Sequence, residues 1–257
     1  EIYKFCKKRN IKIIDDACHA IGTSYKNNKK IYNIGSCKHS DITTFSFHSI
    51  KNITTAEGGC ILTNNKTLYN SIKNLRSHGI NREITDTKIN KINFKNEPWF
   101  YEALEISENY RLSDLQCSLG ISQLQKLEKF KKQKDILYGY YKNKIRKLNR
   151  FLIPISYNNH SNTHWHLYPV LIKENFTKYK KKLFLYLKKK KIFTQVHYIP
   201  IYKHPIYKNL YNKKLHYDSD KFYKEILSLP FHSKLTLKEI DYVVSEISKF
   251  FETIPNN

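Results

Sequence analysis

Short apolar runs separated by polar turns characterise the first part of the chain and predict strands. The run at residues 42–47 is followed by a polar turn and then by a second apolar run at residues 60–63. Strand signals on both sides place Lys51 on the loop that connects them. Upstream, the run at residues 11–14 predicts a buried strand, and the polar segment 26–30 predicts a loop.

Helical spacing of apolar residues dominates the middle and the end of the chain. Ser113 and Gln116 form a predicted capping box, and the apolar positions after them continue a helix to Leu127. The other predicted elements are an amphipathic stretch that ends near residue 148, helices at 66–76, 179–190 and 236–250, and strands at 165–172 and 193–196. The sequence therefore predicts an α/β protein in two unequal parts, residues 1–150 and a smaller domain of residues 151–257.

The charge balance is strongly basic, with 46 lysines and arginines against 22 aspartates and glutamates and a net charge of +24. Such a balance is typical of proteins that bind nucleic acid or an anionic surface. The alternative is compositional drift, because Lys, Asn, Ile and Tyr are abundant throughout the chain. The one dense run, KYKKKLFLYLKKKKIF, predicts a surface helix whose lysine stems cover apolar side chains. We therefore predict no nucleic-acid partner.

The cysteine pattern and the absence of long apolar runs narrow the class of protein further. The five cysteines form no CxxC pair, which favours a reducing, cytoplasmic location and neither a disulfide framework nor a metal site. No run approaches the roughly 18–20 apolar residues that a membrane span needs, so no membrane association is predicted. The sequence starts at Glu1 and contains no Met, which predicts a fragment that lacks its N-terminal part.

Three charged residues are candidates for catalysis on their chemistry alone. Asp15 and Asp16 follow the predicted strand directly, at the end where open α/β sheets place ligands, although either could instead cap a turn. Lys51 has hydroxyl and amide neighbours, which suits a lysine that forms a Schiff base. In a chain this rich in lysine, an ordinary loop lysine is the other interpretation.

The motifs around these positions resemble those of one enzyme family. The segments are DACH at 16–19 (with Asp16, Cys18 and His19), FSFH at 45–48, Lys51 and TAEGG at 55–59, followed by RSHGI, ENYRLSDLQCSLGISQLQKL, HWHLYPV, QVHYIPIYKHPIY and LSLPFHSKLTLKEID. In this order they are similar to the signature of the DegT/DnrJ/EryC1/StrS sugar aminotransferases over nearly the whole chain. The resemblance implies fold type I of the pyridoxal-phosphate-dependent transferases, with a mixed, mostly parallel sheet in the large domain and a smaller C-terminal α/β domain.

The resemblance also implies roles for individual residues around pyridoxal 5'-phosphate. Lys51 matches the lysine that binds the cofactor covalently and moves the proton, and Asp16 matches the carboxylate that keeps the pyridine nitrogen protonated. His19 matches the position that bonds to the phenolic oxygen of the ring, and Cys18 the residue against its face. For each of these residues a structural role, such as a turn cap, is the alternative.

Other positions are implied to hold the phosphate and the sugar. Ser46 matches a phosphate contact, and Asn109 matches a residue that reaches the phosphate of the neighbouring subunit, which implies a homodimer. The residues expected to face the sugar are His48, His197 and Tyr198. Ser107 stands where the family usually has glycine, two residues before the motif asparagine, so that turn is expected to differ.

The implied reaction transfers an amino group from L-glutamate to a UDP-linked 4-keto-6-deoxy N-acetylhexosamine. PWFYE and QVHYIPIYKHPIY most resemble the branch of the family that acts in pseudaminic acid biosynthesis. The alternatives are another nucleotide-sugar aminotransferase, such as a perosamine-type enzyme, and a non-catalytic relative. In the family, the N-terminal part supplies the loop whose backbone N–H groups hold the phosphate, so residues 1–257 alone are expected to bind the cofactor weakly or not at all.

Overall fold

The computed structural model describes residues 1–82, 97–155, 160–207 and 217–254. Contacts group the chain into two compact units, Glu1–Leu127 and Glu128–Asn257. This division falls earlier than the domain boundary predicted at residue 150. The reason is the long helix that begins at Leu127, because its apolar side belongs to the core of the second unit.

The described residues of the first unit form a three-stranded sheet, a hairpin, a short strand pair and three helices. Its strands are β1 (Ile14–Asp16), β2 (Ser24–Asn27), β3 (Lys30–Asn33), β4 (Ile42–Ser46), β5 (Gly59–Leu62), β6 (Ile80–Asn81) and β7 (Glu102–Ala103). Its helices are α1 (Ile2–Lys8), α2 (Lys66–Leu75) and α3 (Asp114–Gln125). β4 is the central strand, parallel to β1 and antiparallel to β5, so this sheet is mixed, as predicted. β6 and β7 form a separate antiparallel pair.

The register of the mixed sheet positions two of the candidate residues. Asp16 at the end of β1 lies opposite Thr44 of β4, and Ser46 at the end of β4 lies opposite Gly59 of β5. Glycine is needed at position 59, because a Cβ atom there would lie 2.5 Å from the carbonyl oxygen of Phe45. Since β1 and β4 are parallel, Asp16 and Ser46 end neighbouring strands at the same edge of the sheet, where α/β proteins place their ligands.

Two local expectations for the first unit are wrong. The strand predicted at residues 11–14 begins only at Ile14, and the Ile14 side chain is 67% exposed, because β1 is the edge strand of its sheet. The segment predicted as a loop at 26–30 is the turn of the β2–β3 hairpin, with Asn28 and Lys29 at positive φ. Two such residues suit the tight hairpin turn that matches the strand twist.

Helix α3 has the predicted start, and several of its apolar side chains are exposed. The Ser113 hydroxyl accepts the backbone N–H of Gln116, and the Gln116 side chain accepts the backbone N–H of Ser113, which confirms the capping box. The apolar positions Leu115 and Ile121 are exposed, Leu115 by 85%. Within the first unit, α3 is therefore held by its cap and by the hydrogen bond from Gln116 Nε2 to the Glu57 carbonyl oxygen, 2.9 Å long.

In the described ranges of the second unit, an antiparallel sheet packs with four helices. Its elements are α4 (Leu127–Ile145), β8 (Leu152–Pro154), β9 (Ser161–Asn162), β10 (Tyr168–Ile172), α5 (Lys180–Lys189), α6 (Tyr217–Glu225), β11 (Ile226–Leu229) and α7 (Leu237–Glu252), with short 3₁₀ turns between them. β10 is the central strand and pairs antiparallel with β8 and with β11.

The core of the second unit is a continuous aromatic and aliphatic cluster. Tyr141 of α4 stacks on Tyr168 of β10, with ring centroids 4.5 Å apart, and Phe151 stacks on Phe251 of α7 at 4.4 Å. Offset stacks of this kind add to the free energy of burying the rings. The helix predicted at 236–250 is α7, and the structure shows that it starts at a capping box of Thr236 and Glu239.

The lysine-rich run of the second unit is a surface helix, as predicted. Leu183 and Leu187 of α5 are fully buried, while the lysines of the same helix lie on its other sides. The strand predicted at residues 193–196 is wrong, since only Gln195 forms a bridge, with Ser228. β11, all of whose residues are buried, is the strand beside β10 instead. Across the described ranges, no helix is long and apolar enough to cross a membrane.

Candidate active site

Lys51 lies on a loop that hydrogen bonds hold in one shape between β4 and β5. The Phe47 N–H donates to the Gly58 carbonyl oxygen at 2.8 Å, and the Thr55 N–H donates to the Phe47 carbonyl oxygen at 2.9 Å. These two bonds close the base of the loop. At its tip, the Lys51 N–H donates to the His48 carbonyl oxygen at 2.9 Å. The Lys51 side chain is half-buried, which leaves its amine accessible to a ligand.

Glycine is required at position 58, after the loop, for a conformational and a steric reason. Gly58 has φ +151°, in a region that other residues rarely adopt. A Cβ atom there would overlap Thr55 Oγ1 and lie 2.7 Å from Leu112 Cδ2. The Thr55 hydroxyl in turn donates to the Glu57 carbonyl oxygen at 2.8 Å. The Glu57-Gly58-Gly59 segment therefore allows the chain to return to β5 with Lys51 held at the sheet edge.

Asp16 is kept ionised by its immediate neighbours. The Cys18 backbone N–H donates to Asp16 Oδ1 at 3.1 Å. Hydrogen bonds from the thiol and the backbone of Cys18 hold the pKa of Asp16 below its usual range, and the positive charges of His19 and Lys51 act in the same direction. The structure thus brings Asp16, Cys18, His19 and Lys51 into one electrostatic group. Burial raises the pKa of the Cys18 thiol, which therefore stays protonated at neutral pH.

Ser46 and His48 belong to the same loop. The Ser46 hydroxyl accepts the His48 N–H at 3.3 Å. The imidazole Nε2 of His48 lies 3.6 Å from Glu57 Oε1, and its Nδ1 accepts the Ile50 N–H at 3.4 Å. These contacts fix the ring against the loop that carries Lys51. Ser46 therefore ends β4 directly before the Lys51 loop, and His48 lies on that loop; their contacts with a phosphate and a sugar stay predictions.

Asn109 lies on a different segment of the first unit. It is exposed, it bridges to Ser77, and its side-chain oxygen accepts the Arg111 N–H at 3.1 Å. Among the described residues, its contacts lead to this turn and not to the Lys51 loop. Ser107, which replaces the family glycine, donates its hydroxyl to the Leu75 carbonyl oxygen at 2.7 Å, so this turn is tied to the end of α2.

A basic cavity of about 550 Å³ adjoins this turn and was missed by the sequence reasoning. Its charged and ionisable lining residues are Lys73, Arg76, His78, Arg82 and Arg111, and no described carboxylate lines it. The Tyr110 N–H donates to the Arg76 carbonyl oxygen, and the His78 N–H donates to that of Glu108. These backbone bonds hold the segments of Arg76 and Arg111 side by side. The arginines in the motifs RSHGI and ENYR, Arg76 and Arg111, were the sequence signal that could have indicated this cavity.

His197 and Tyr198 lie in the second unit, and their predicted contact with the sugar stays a prediction. His197 Nδ1 is 2.9 Å from the Ser228 hydroxyl of β11, which fixes the imidazole ring. The Tyr198 ring packs edge-on against it and is 63% exposed. An exposed phenol beside an anchored imidazole is available to a polar ligand, as the prediction requires.

The side chains around Lys51 fit pyridoxal 5'-phosphate by their chemistry. The pyridine nitrogen needs a carboxylate that stays charged, and Asp16 is one. The aldehyde needs an accessible amine, which Lys51 provides, and His19 supplies a donor for the phenolic oxygen. No group of three or more possible metal-ligating side chains is found in the described part of the chain. The chemistry of Asp16, His19 and Lys51 therefore fits pyridoxal 5'-phosphate.

Comparison with known proteins supports the same assignment. Residues 1–248 match the model of the DegT/DnrJ/EryC1/StrS aminotransferase family. The chain is 37% identical over 254 residues to the UDP-4-amino-4,6-dideoxy-N-acetyl-beta-L-altrosamine transaminase of Campylobacter jejuni strain 81-176, covering 99% of this chain and 62% of the relative. It is 34% identical over 252 residues to the Helicobacter pylori transaminase of the same name, covering 98% and 62%.

Comparison with solved structures indicates the same family as the sequence comparison. Helicobacter pylori PseC, an aminotransferase involved in the biosynthesis of pseudoaminic acid, superposes with a TM-score of 0.85 at 32% identity, covering 98% of this chain and 63% of that one. The chain thus spans less than two thirds of the length of these relatives. The match of the family model over nearly all of the chain, together with the shared fold, shows that the chain belongs to the DegT/DnrJ/EryC1/StrS aminotransferase family.

Proposed function

We propose that the protein carrying residues 1–257 is a pyridoxal-phosphate-dependent sugar-nucleotide aminotransferase. Its amino donor is L-glutamate, and its acceptor is a UDP-linked 4-keto-6-deoxy N-acetylhexosamine on the route to pseudaminic acid. The observation that carries the proposal is the electrostatic group of Asp16, His19 and Lys51 at the end of β1 and β4. The names of the Campylobacter and Helicobacter relatives support the acceptor.

The positions of four residues suggest a separate role for each of them in transamination. When bound, pyridoxal phosphate supplies an electron sink for the carbon that exchanges its amino group. Lys51 would hold the cofactor and, as a free amine, would take the proton from one carbon and return it to another. Asp16, held ionised by Cys18, would keep the ring nitrogen protonated, and His19 would bond to the phenolic oxygen. Ser46 would contact the phosphate from the end of β4.

The basic cavity suits the diphosphate of a nucleotide sugar. Four cationic side chains and a histidine line it, and the described residues contribute no carboxylate to balance their charge. Arginine offers two parallel donors to phosphate oxygens, so Arg76 and Arg111 are the residues best suited to bind it. We propose that this cavity attracts the diphosphate of the acceptor.

Assembly and location complete the proposal. The exposed position of Asn109 is consistent with a contact to the phosphate in a neighbouring subunit of a homodimer. The five cysteines are free, as expected in the reducing cytoplasm, where we propose that the enzyme works. The exposed apolar side chains of α3 offer a surface that a second subunit could cover.

The test is turnover by the native polypeptide that carries these residues. Incubated with L-glutamate and the UDP-4-keto sugar, it should release 2-oxoglutarate, which a coupled dehydrogenase assay follows. Lys51→Ala should abolish turnover, whereas Lys66→Ala, which removes a surface lysine that lies over the Tyr69 ring, should leave it unchanged. Asp16→Asn should lower turnover while the protein remains folded, because an amide does not stabilise a protonated pyridine nitrogen.

Three outcomes would contradict the proposal or part of it. Turnover of a GDP-linked 4-keto sugar, without turnover of the UDP-linked one, would support a perosamine-type enzyme. Retained activity in Lys51→Ala would remove Lys51 from its role. A folded native polypeptide that converts none of the keto sugars would support a non-catalytic relative.

A further inference from the structure

Another cavity, of about 730 Å³, lies in the second unit and is lined by residues of α5 and α6. Its apolar walls include the rings of Phe184 and Tyr223 and the exposed side chain of Leu185. Its charged lining residues in the described ranges are all lysines, namely Lys178, Lys180, Lys181 and Lys224. Apolar walls with a few polar groups are typical of ligand sites, and none of these residues belongs to the proposed transaminase site.

Lys180, at the start of α5, is the reactive group of this cavity. Its side chain is half-buried, its Nζ donates a hydrogen bond to the Tyr223 carbonyl oxygen, and Nζ lies 5.1 Å from the centroid of the Tyr223 ring. Burial lowers the pKa of Lys180 to about 8, from 10.5. At pH 7 roughly a tenth of such an amine is neutral, against about one part in 3,000 for an ordinary lysine. A lysine of this kind is a nucleophile for carbonyl groups.

The charges around this amine favour an anionic ligand. Lys178 and Lys181 flank it in the sequence, and Lys224 adds a third exposed cation from α6. Lys203, whose Nζ lies 5.4 Å from the centroid of the same tyrosine ring, is paired with Asp220, and neither of the two lines the cavity. Because no described carboxylate lines the cavity, the three flanking lysines attract a negatively charged group to it.

The two contacts of Lys180 with Tyr223 suit the product of a reaction with an aldehyde. A neutral amine that donates one N–H to the carbonyl oxygen keeps its lone pair for attack on carbon. When the amine condenses with an aldehyde, a C–N bond forms, water leaves, and the protonated imine retains one N–H. The Tyr223 carbonyl oxygen accepts that N–H, and the face of the ring stabilises the positive charge. Both contacts therefore persist after the reaction.

We propose that Lys180 is a second site of imine formation in this protein and reacts with an aromatic aldehyde that carries a phosphate. The amine of Lys180 attacks the aldehyde carbon, and the carbonyl oxygen leaves as water. The phosphate lies among Lys178, Lys181 and Lys224, and the aromatic ring lies against the apolar wall that includes Phe184. This modification does not depend on the proposed transamination or on Lys51, which lies in the other unit.

Reductive trapping tests the proposal in the native polypeptide that carries these residues. The polypeptide carries Lys51→Ala, so that no imine forms at the proposed cofactor lysine. It is incubated at pH 7.5 with less than one equivalent of pyridoxal 5'-phosphate, reduced with sodium borohydride and digested, and mass spectrometry locates the labelled lysines. Lys180 should carry at least ten times more label than Lys182, an exposed lysine of α5 that does not line the cavity.

Variants separate Lys180 from the general abundance of lysine in the protein. Lys180→Arg keeps the charge and should remove most of the label, because a guanidinium forms no imine. Lys182→Arg is the matched control on the same helix and should leave the label at Lys180 within about twofold of the parent. The double variant Lys181→Gln and Lys224→Gln should raise the pyridoxal phosphate concentration for half-maximal labelling by about tenfold, through the loss of charge-assisted contacts.

The pH and the choice of aldehyde provide two tests that need no substitution. Labelling of Lys180 should rise with a midpoint near pH 8, whereas an ordinary lysine responds near 10.5. Pyridoxal, which lacks the phosphate, should require at least a tenfold higher concentration than pyridoxal 5'-phosphate. Circular dichroism confirms that each variant is folded. The proposal is overturned if Lys180 is labelled no more than Lys182, if Lys180→Arg leaves the total label unchanged, or if pyridoxal labels Lys180 equally well.

Discussion

Replacing Gly58 by alanine tests whether the shape of the Lys51 loop depends on this glycine. The new Cβ would overlap Thr55 Oγ1 and lie 2.7 Å from Leu112 Cδ2, at a φ of +151°. Backbone strain at such a φ costs about 1–3 kcal/mol. Overpacking against buried neighbours costs about as much again, and Thr55 is buried. We therefore expect Gly58→Ala to lower the free energy of unfolding by about 2–6 kcal/mol.

Gly120→Ala is the matched control for the same neighbour. Its Cβ would approach the Thr55 methyl group to 3.0 Å, but position 120 is helical and carries no φ strain. The helix gains about 0.5–1 kcal/mol from alanine, which offsets the close contact, so the net change should stay within about 1 kcal/mol. Both variants change the first unit, which makes their unfolding curves directly comparable.

The assay is urea unfolding followed by far-ultraviolet circular dichroism, with the m-values compared to confirm that the same surface unfolds. Hydrogen exchange adds a local readout. The Phe47 and Thr55 amides, which close the base of the loop, should exchange faster in Gly58→Ala than in the parent. If Gly58→Ala unfolds at the same urea concentration as the parent, or if Gly120→Ala is equally destabilised, the steric argument for this loop is refuted.

Three further predictions concern the second unit. Tyr141→Phe removes the hydrogen bond from a fully buried phenol to the Pro230 carbonyl oxygen, so chemical unfolding should show a loss of about 1–3 kcal/mol. Burial lowers the pKa of Lys134 from 10.5 to about 8. Between these two pH values the unfolded chain binds more protons than the folded chain, so the free energy of unfolding rises with pH across that window. Lys134→Met should therefore raise the melting temperature at pH 7 but not above pH 10.5. Hydrogen bonds from Lys249 and Tyr186 hold the pKa of Glu246 near 2, below its usual 4.5. Its contribution is therefore present above pH 4.5 and lost as the pH falls towards 2, and Glu246→Gln should flatten that acid limb in a pH series of thermal melts.

Local signals in the sequence predicted many elements correctly. The capping box at Ser113 marks a helix start that the structure confirms, and the helix predicted from Thr236 is also present. The apolar spacing at residues 66–76 and 179–190 predicts α2 and α5 within one residue at each end. These features depend on residues three or four positions apart, which is why the sequence is enough to find them.

Elements that depend on distant partners were harder to predict. The segment 193–196 has the composition of a strand, yet Ile226–Leu229 takes the place beside β10. The segment that better fits the register of β10 and packs in the core forms the strand, and the local sequence pattern does not indicate which segment that is. The β2–β3 hairpin is largely polar, so a search for alternating apolar residues did not predict its two strands.

The sequence by itself determined the family, the helix starts and the identity of the candidate residues, because motif order and local spacing are written along the chain. Only the tertiary structure decided that Asp16 is held ionised beside His19 and Lys51, since this required the pairing of two strands that start 28 residues apart. It also decided which of many lysines and arginines gather around the basic cavity. The composition of the sequence sets the net charge. A binding site, however, needs side chains from distant parts of the sequence to lie close together, and long-range packing decides which of them do.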